Sequence, residues 1–500
     1  MRIKFSKVDK QAGIAILIGL AIRFIFMPFA MPIEADGITR VFRAMEWLAK
    51  PELISYGVWG PLHTYLIAGS LLLWNDPVYA PVALNNLFSA AVAIPLYLFV
   101  KREWDETAGL FVICLYLLYP LAIRYGLVAM SEIPYIFFMM IAMLFLSIAR
   151  DEGGNWKHAM VAGLTVTVAG SLRYEAWGLT PFLGLLLWRQ WRKLFVFLAA
   201  SALFPIFWTA GNYMQFGDPL YSFTWSIKWN LVISNSNESL TALDVVHRAL
   251  FYPRSLFFGL TPFVFLICLL GVYFVILRRG KQWVWLIPFL ALFLTFTINS
   301  MGGKLSLQVR YSLGLAIFLI PFAAEWFEYS KSSPRRLLIC IIILCSMPPF
   351  SCLRSAVSWP YNFPNPIPEQ INMLPRVDEK ISKISEFQIE QANSIPGGLF
   401  LDFFGWSDTY YVASMSRKHP FSIFIMPGEI NESIDKAQFA RFVEKNPTGM
   451  MLLTETPRFV RFERSPGGQL LHFEGFDTVF LIESIGKVEG ITFYKYLVMP

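Results

Sequence analysis

The feature that most constrains this chain is a series of apolar runs about as long as a bilayer is thick. A helix rises about 1.5 Å per residue, so about 20 apolar residues cross a hydrocarbon core of about 30 Å. Such runs lie at 12–32, 78–100, 107–123, 132–149, 159–172, 174–188, 193–213, 256–277, 282–300, 307–327 and 335–352. In lipid every backbone polar group must find its partner within its own segment. Eleven such runs therefore predict an α-helical polytopic membrane protein. Composition excludes the other classes: 15% of residues are charged and 56% are hydrophobic, against about 25% charged in a soluble domain. A soluble enzyme, a disordered chain and a nucleic-acid-binding domain are ruled out. The formal net charge of +7 reflects Lys and Arg at the ends of apolar runs.

Those basic residues also set an orientation. Arg2, Lys4, Lys7 and Lys10 precede the first run, which is too long for a cleaved signal peptide and contains Arg23. With the N-terminus in the cytoplasm, basic residues fall in every second loop: Lys101 and Arg102; Arg150 and Lys157; Arg189, Arg192 and Lys193; Arg278, Arg279 and Lys281; Lys331, Arg335 and Arg336. This is the positive-inside pattern. Counting the apolar stretch 61–74 as a crossing would break it, as would merging 159–188 into one span. The outer side then receives the loop 33–77, the loop 214–255 and residues 353–500. The last part is richer in Pro, Glu, Asp, Lys and Ser and reads as a soluble extracytoplasmic α/β domain. Strands are expected at 398–402 and 450–453 and a helix at 433–445. Asn237-Glu238-Ser239 and Asn431-Glu432-Ser433 are glycosylation sequons on that side. The five cysteines (Cys114, Cys268, Cys340, Cys345 and Cys352) form no metal-ligand pattern and no disulfide framework.

Charged residues also occur near the outer ends of the apolar runs. Glu34 and Asp36 follow the first run; Asp36-Gly37 could simply form a turn. Ile38, Val41, Phe42, Met45, Leu48 and Ala49 then recur at helical spacing, predicting an amphipathic helix lying in the membrane interface. Arg173 and Glu175 stand between two runs of about 14 residues, each reaching about 21 Å, so their joint should line a polar cavity. Arg124, Ser131 and Glu132 bracket the outer turn before the fourth run, and Lys304, Arg310 and Tyr311 open the tenth. Any one arginine could snorkel to the interface, and Ser131 could cap the helix that follows it. Three arginines and four acids on one side instead suggest a cavity for an anionic lipid head group.

In this order the features resemble the GT-C polytopic glycosyltransferases, in particular the dolichyl-phosphate-mannose protein mannosyltransferase and aminoarabinose transferase branch. Glu34-Ala35-Asp36-Gly37 stands at its acidic motif, with Ala35 separating acids that are often adjacent there. Trp59-Gly60-Pro61-Leu62-His63-Thr64-Tyr65 is similar to its Pro-Pro-Leu-Tyr stretch, and Lys101-Arg102-Glu103-Trp104 to the basic end of its second span. Arg124 through Pro134 matches its outer turn, and Gln308-Val309-Arg310-Tyr311 its late Arg-Tyr pair. Leu172-Arg173-Tyr174-Glu175 replaces a Leu-Thr-Lys-Gly-like motif, and no Trp-Trp-Asp-Tyr-Gly motif of oligosaccharyltransferases occurs.

The resemblance implies a polyprenyl-phosphate-linked sugar as donor, an acceptor hydroxyl on a protein, glycolipid or polymer, and inversion at the anomeric carbon. Asp36 would be the general base, with Glu34 as runner-up or orienter. Arg173 and Arg310, then Arg124 and Lys304, would hold the donor phosphate. Glu132, Glu175, His63 and Tyr311 would line the acceptor side of the cavity. The donor is already activated, so no nucleotide is required. Glu34, Asp36 and His63 could also offer ligands to a divalent ion. A lipid or solute transporter is the competing class; it predicts matching repeats with broken helices, which the sequence does not show. A membrane scaffold would leave these charges without a role.

Overall fold

The structure, a computed structural model, describes residues 6–29, 34–52, 59–151, 153–233, 240–333, 335–356, 373–428, 433–465 and 468–499. Residues 237–239 and 431–432 of the two sequons lie outside them. Among the described residues, six helices are long and apolar enough to cross a membrane: Lys7–Phe29, Tyr79–Glu103, Glu132–Arg150, Trp191–Phe216, Lys281–Met301 and Tyr311–Tyr329. Two more pass that test as bent pairs, Glu106–Leu117 with Pro120–Gly126 (59°) and Ala242–Gly259 with Pro262–Leu277 (109°). The remaining expected spans correspond to the helices Trp156–Gly170, Glu175–Leu187 and Arg336–Ala356. This is a multi-pass membrane architecture.

The bends have a local cause. Pro120 and Pro262 open the second helix of each pair, a position where a missing N–H costs nothing. Each also disfavours helical backbone in the residue before it. Thr261 escapes into the left-handed region at φ 71. The expected continuous span 256–277 is therefore broken near its start. The helix Leu62–Leu73 has 12 residues, about 18 Å of rise, which is too short to cross.

Contacts divide the chain into two units: Met1–Phe29, Leu53–His63 and Ala83–Leu374; and Ala30–Glu52, Thr64–Val82 and Pro375–Pro500. In the first unit a single turn ties several helices together. Lys101 Nζ lies 2.6 Å from Asp9 Oδ1, and Arg102 Nε donates to Ser147 Oγ at 3.1 Å while its Nη2 pairs with Asp151. Glu103 accepts from the Ser147 hydroxyl, and Trp104 Nε1 donates to Glu325 Oε2 at 2.9 Å. Asp105 caps the next helix, accepting from the Ala108 amide at 2.7 Å, and pairs with Lys331.

The second unit holds a seven-stranded sheet: β1 (Gly398–Leu401), β2 (Ile423–Ile425), β3 (Thr448–Leu453), β4 (Val460–Ser465), β5 (Gly468–Phe473), β6 (Val479–Val488) and β7 (Ile491–Val498). The order is β2-β1-β3-β7-β6-β5-β4. β1 runs parallel to β2 and β3, and the other pairings are antiparallel. The helices Trp406–Met415 and Lys436–Lys445 connect the parallel strands. Side chains alternate along β1. Leu399 and Leu401 pack with Tyr411 and Val412, while Phe400 packs with Phe439 and Phe442. The sheet is thus covered by one connecting helix on each face, and the expected α/β fold, both strands and the helix near 433–445 are present.

The predicted amphipathic helix exists at Ala35–Ala49, and protein covers part of its apolar side. It belongs to the second unit, touches the Trp406–Met415 helix, and packs Phe42 against the cluster that contains Tyr411 and Val412. The Asp36-Gly37 turn does not form either. Glu34 takes the N-cap position, and Asp36 lies in the first helical turn, where a carboxylate is favoured by the helix dipole.

Candidate active site

Three helix beginnings in the first unit meet at one pocket. Glu132 starts the helix Glu132–Arg150 and Glu175 starts Glu175–Gly184. Arg310 immediately precedes Tyr311–Leu319. Acids are favoured in the first turn of a helix, so both carboxylates stand where the backbone already stabilises them. Arg173 comes from the short joint between Trp156–Gly170 and Glu175–Gly184; its own amide donates back to Ala169 O at 2.9 Å and closes the first helix.

The side chains interlock. Arg173 Nη1 pairs with Glu132 Oε1, and Arg173 Nε donates to Glu175 Oε1 at 3.0 Å. Arg310 Nε lies 3.4 Å from the same Glu132 oxygen. The Tyr311 ring lies 5.2 Å from the Arg173 guanidinium carbon and 5.6 Å from that of Arg310, within cation–π range. Side-chain exposure is 4% for Glu132, 10% for Arg310 and 14% for Arg173. Charges this buried persist only when paired. Here two guanidinium groups meet two carboxylates, so the cluster's formal charge is zero. An entering anion must compete with Glu132 for the arginines. Both acids hold Arg173, while Arg310 meets Glu132 at the longer distance.

Tyr135, Ile136, Leu292, Phe296 and Gly314 complete the lining. Tyr135 and Gly314 lie one helical turn beyond Glu132 and Tyr311, a spacing that could have marked them. Nothing in the sequence marks Leu292 or Phe296. Arg124 and Lys304 do not line this pocket. Arg124 is buried on Pro120–Gly126, and Lys304 is exposed. His63 is buried in the first turn of Leu62–Leu73. Glu34 and Asp36 are half-buried and belong to the second unit. Among the described residues no group of three or more His, Cys, Asp or Glu is arranged to hold a metal ion.

The Gly-Pro-Leu stretch bears directly on the Arg173 joint. A Cβ built on Gly60 would lie 2.1 Å from Ser171 O, and the Leu62 amide points to the same carbonyl at 3.4 Å. Only glycine allows this approach. Gly60→Ala must push the joint aside, and a misplacement of about 1 Å can cost about 100-fold in rate. The expected result is at least a tenfold loss of turnover. Overpacking should also destabilise the fold by about 1–3 kcal/mol, read by thermal unfolding in detergent.

Residues 58–210 match the family model for dolichyl-phosphate-mannose-protein mannosyltransferase. No curated protein sequence matches the chain. Among solved structures it is similar to ArnT from Cupriavidus metallidurans bound to undecaprenyl phosphate, at TM-score 0.68 and 10% identity over 97% of this chain and 98% of that one. It is also similar to the Archaeoglobus fulgidus oligosaccharyltransferase in its apo form, at TM-score 0.52 and 12% identity over 89% and 69%. The Archaeoglobus fulgidus oligosaccharyltransferase AglB in complex with an inhibitory peptide and a dolichol-phosphate aligns at TM-score 0.51 and 12% identity over 89% and 70%. Identities this low carry the fold, and the fold extends over nearly the whole ArnT chain. The protein therefore has the fold of these structures, the GT-C fold, and residues 58–210 match the mannosyltransferase family model.

Proposed function

We propose that the protein transfers a hexosyl or pentosyl group from a polyprenyl-phosphate donor to an acceptor hydroxyl, with inversion, on the extracytoplasmic side of a cell membrane. The N-terminus lies in the cytoplasm and the soluble domain outside. Asp36 takes the hydroxyl proton, with Glu34 orienting it. The acceptor oxygen bonds to the anomeric carbon as the bond to the phosphate oxygen breaks, and that electron pair leaves on the lipid phosphate. Arg310, with Arg173, meets the growing phosphate charge; Arg124 and Lys304 are the further cations. Preformed charge in a water-poor pocket can contribute several kcal/mol to a transition state. Glu132, Glu175, His63 and Tyr311 shape the acceptor side.

The observation that carries this reading is the buried two-arginine, two-carboxylate pocket in a chain of this fold. Two of the similar structures hold undecaprenyl phosphate and dolichol-phosphate, which supports a lipid phosphate as the donor's carrier. The test is incubation of the purified protein in lipid with radiolabelled polyprenyl-phosphate sugars and a pool of membrane and protein acceptors. Transfer of label to an acceptor supports the reading. Movement of intact donor across vesicles without transfer would establish a flippase instead.

A further inference from the structure

The α/β unit is more than an appendage, because it grips the segment that bears the candidate base. Residues 30–52 and 64–82 cluster with residues 375–500. Two stretches of the first outer loop are held, and both by the same neighbourhood. On one side, Phe42 of the helix Ala35–Ala49 packs against the Tyr411–Val412 cluster, and the same helix touches the short turn Pro420–Ser422. Phe42 is six residues after Asp36, about 9 Å along the helix. On the other side, Arg417 Nη2 reaches Asp76 Oδ2 at 3.4 Å, and its guanidinium lies 5.6 Å from the Tyr79 ring. Asp76 in turn accepts from the Val78 and Tyr79 amides, both at 2.9 Å, and so fixes the start of the next helix. Trp47 and Tyr65 join the two stretches, with ring centroids 5.0 Å apart.

The Arg417 contacts and the contact with Pro420–Ser422 lie in the connection between the Trp406–Met415 helix and β2, and Phe42 packs against the helix that leads into it. Arg417 sits there in the left-handed region at φ 55, a conformation a bulky residue adopts only when its surroundings hold it. We propose that this connection, with Arg417 and Phe42 as positioning residues, sets where the Asp36 carboxylate stands, so that the α/β unit takes part in turnover. The inference rests on Asp36 being the base. It assigns the unit a role in the chemical step in place of passive attachment.

Arg417 makes a clean test. Its side chain is 51% exposed, and exposed ion pairs contribute little to folding. Arg417→Ala should leave the unfolding midpoint nearly unchanged. A base displaced by about 1 Å loses up to about 100-fold in rate, so kcat should fall about 10- to 100-fold with the donor KM within about twofold. Phe42→Ala should act in the same sense, and Arg417→Lys, which keeps the charge, should recover part of the loss. The acid limb of the kcat–pH profile should move in Arg417→Ala, because the surroundings of Asp36 change; a purely structural role leaves that limb in place. Asp36→Asn is measured alongside. If it is inactive while Arg417→Ala and Phe42→Ala turn over like the parent, the positioning role is overturned and the base assignment stands. If Asp36→Asn retains activity, the base assignment fails and takes the inference with it.

Discussion

Asp36→Asn is expected to lose about 100- to 10,000-fold in kcat, the range a positioned general base contributes, with the fold intact. Asparagine nearly matches aspartate in shape and keeps a carbonyl oxygen, but it cannot accept the acceptor's proton. The position in the helix favours a clean result. Asp36 lies in the first turn of Ala35–Ala49, where losing the carboxylate costs about 0.3–1 kcal/mol of dipole stabilisation. That is small against the total stability of a folded protein. Thermal unfolding should thus change little while single-turnover transfer collapses. Parent-like transfer by Asp36→Asn would remove Asp36 from the mechanism and leave Glu34 as the candidate. Glu34 stands two residues earlier, at the N-cap, and Glu34→Gln is the matching test for it.

Arg310→Ala is expected to raise the donor KM about 10- to 100-fold, matching the roughly 1.5–3 kcal/mol of a hydrogen bond to a charged group. Arg310 is a better probe than Arg173 for a reason of charge. Arg173 is held by Glu132 and Glu175 together, so deleting it takes a partner from both acids at once, and breaking a buried pair costs about 3–5 kcal/mol of folding stability. A dead Arg173→Ala would not separate lost phosphate binding from lost structure. Deleting Arg310 takes away its 3.4 Å contact with Glu132 and leaves Arg173 paired with both carboxylates. Binding of a polyprenyl phosphate without sugar should weaken by the same factor, measurable by isothermal titration in detergent. Unchanged binding would take Arg310 out of the donor site.

The sequence made the helices legible because crossing a bilayer imposes a length and an apolar content that few other folds share. It also made the pocket's charged groups legible. Arg173, Glu175, Glu132 and Arg310 are conspicuous at the ends of apolar runs, and the structure joins them. Their pairing was not legible, because ion pairs between distant helices depend on packing that no local pattern records. Arg124 resembled the other arginines in sequence but does not line the pocket with them; it is buried on the short helix Pro120–Gly126, beyond the 59° bend. The helix at Ala35–Ala49 shows the same limit in another form. An apolar stripe says that a face must be covered; it does not say whether lipid or protein covers it. Here Phe42 meets the Tyr411–Val412 cluster, some 370 residues away in the chain.

The junction between the helices Ala93–Glu103 and Glu106–Leu117 has a consequence for anyone modifying this protein. Short polar connections between helices are usually the safest places to splice in an epitope or a fluorescent reporter. In this one, the side chains of five consecutive residues, Lys101 to Asp105, bind partners in three other stretches of the chain, at Asp9, at Ser147 and Asp151, and at Glu325 and Lys331. Inserting even a few residues after Glu103 would throw the later grips out of phase with the earlier ones, as when a cog skips teeth. Tags belong elsewhere, and poor yield from an insertion at this turn would report a broken assembly rather than a toxic product.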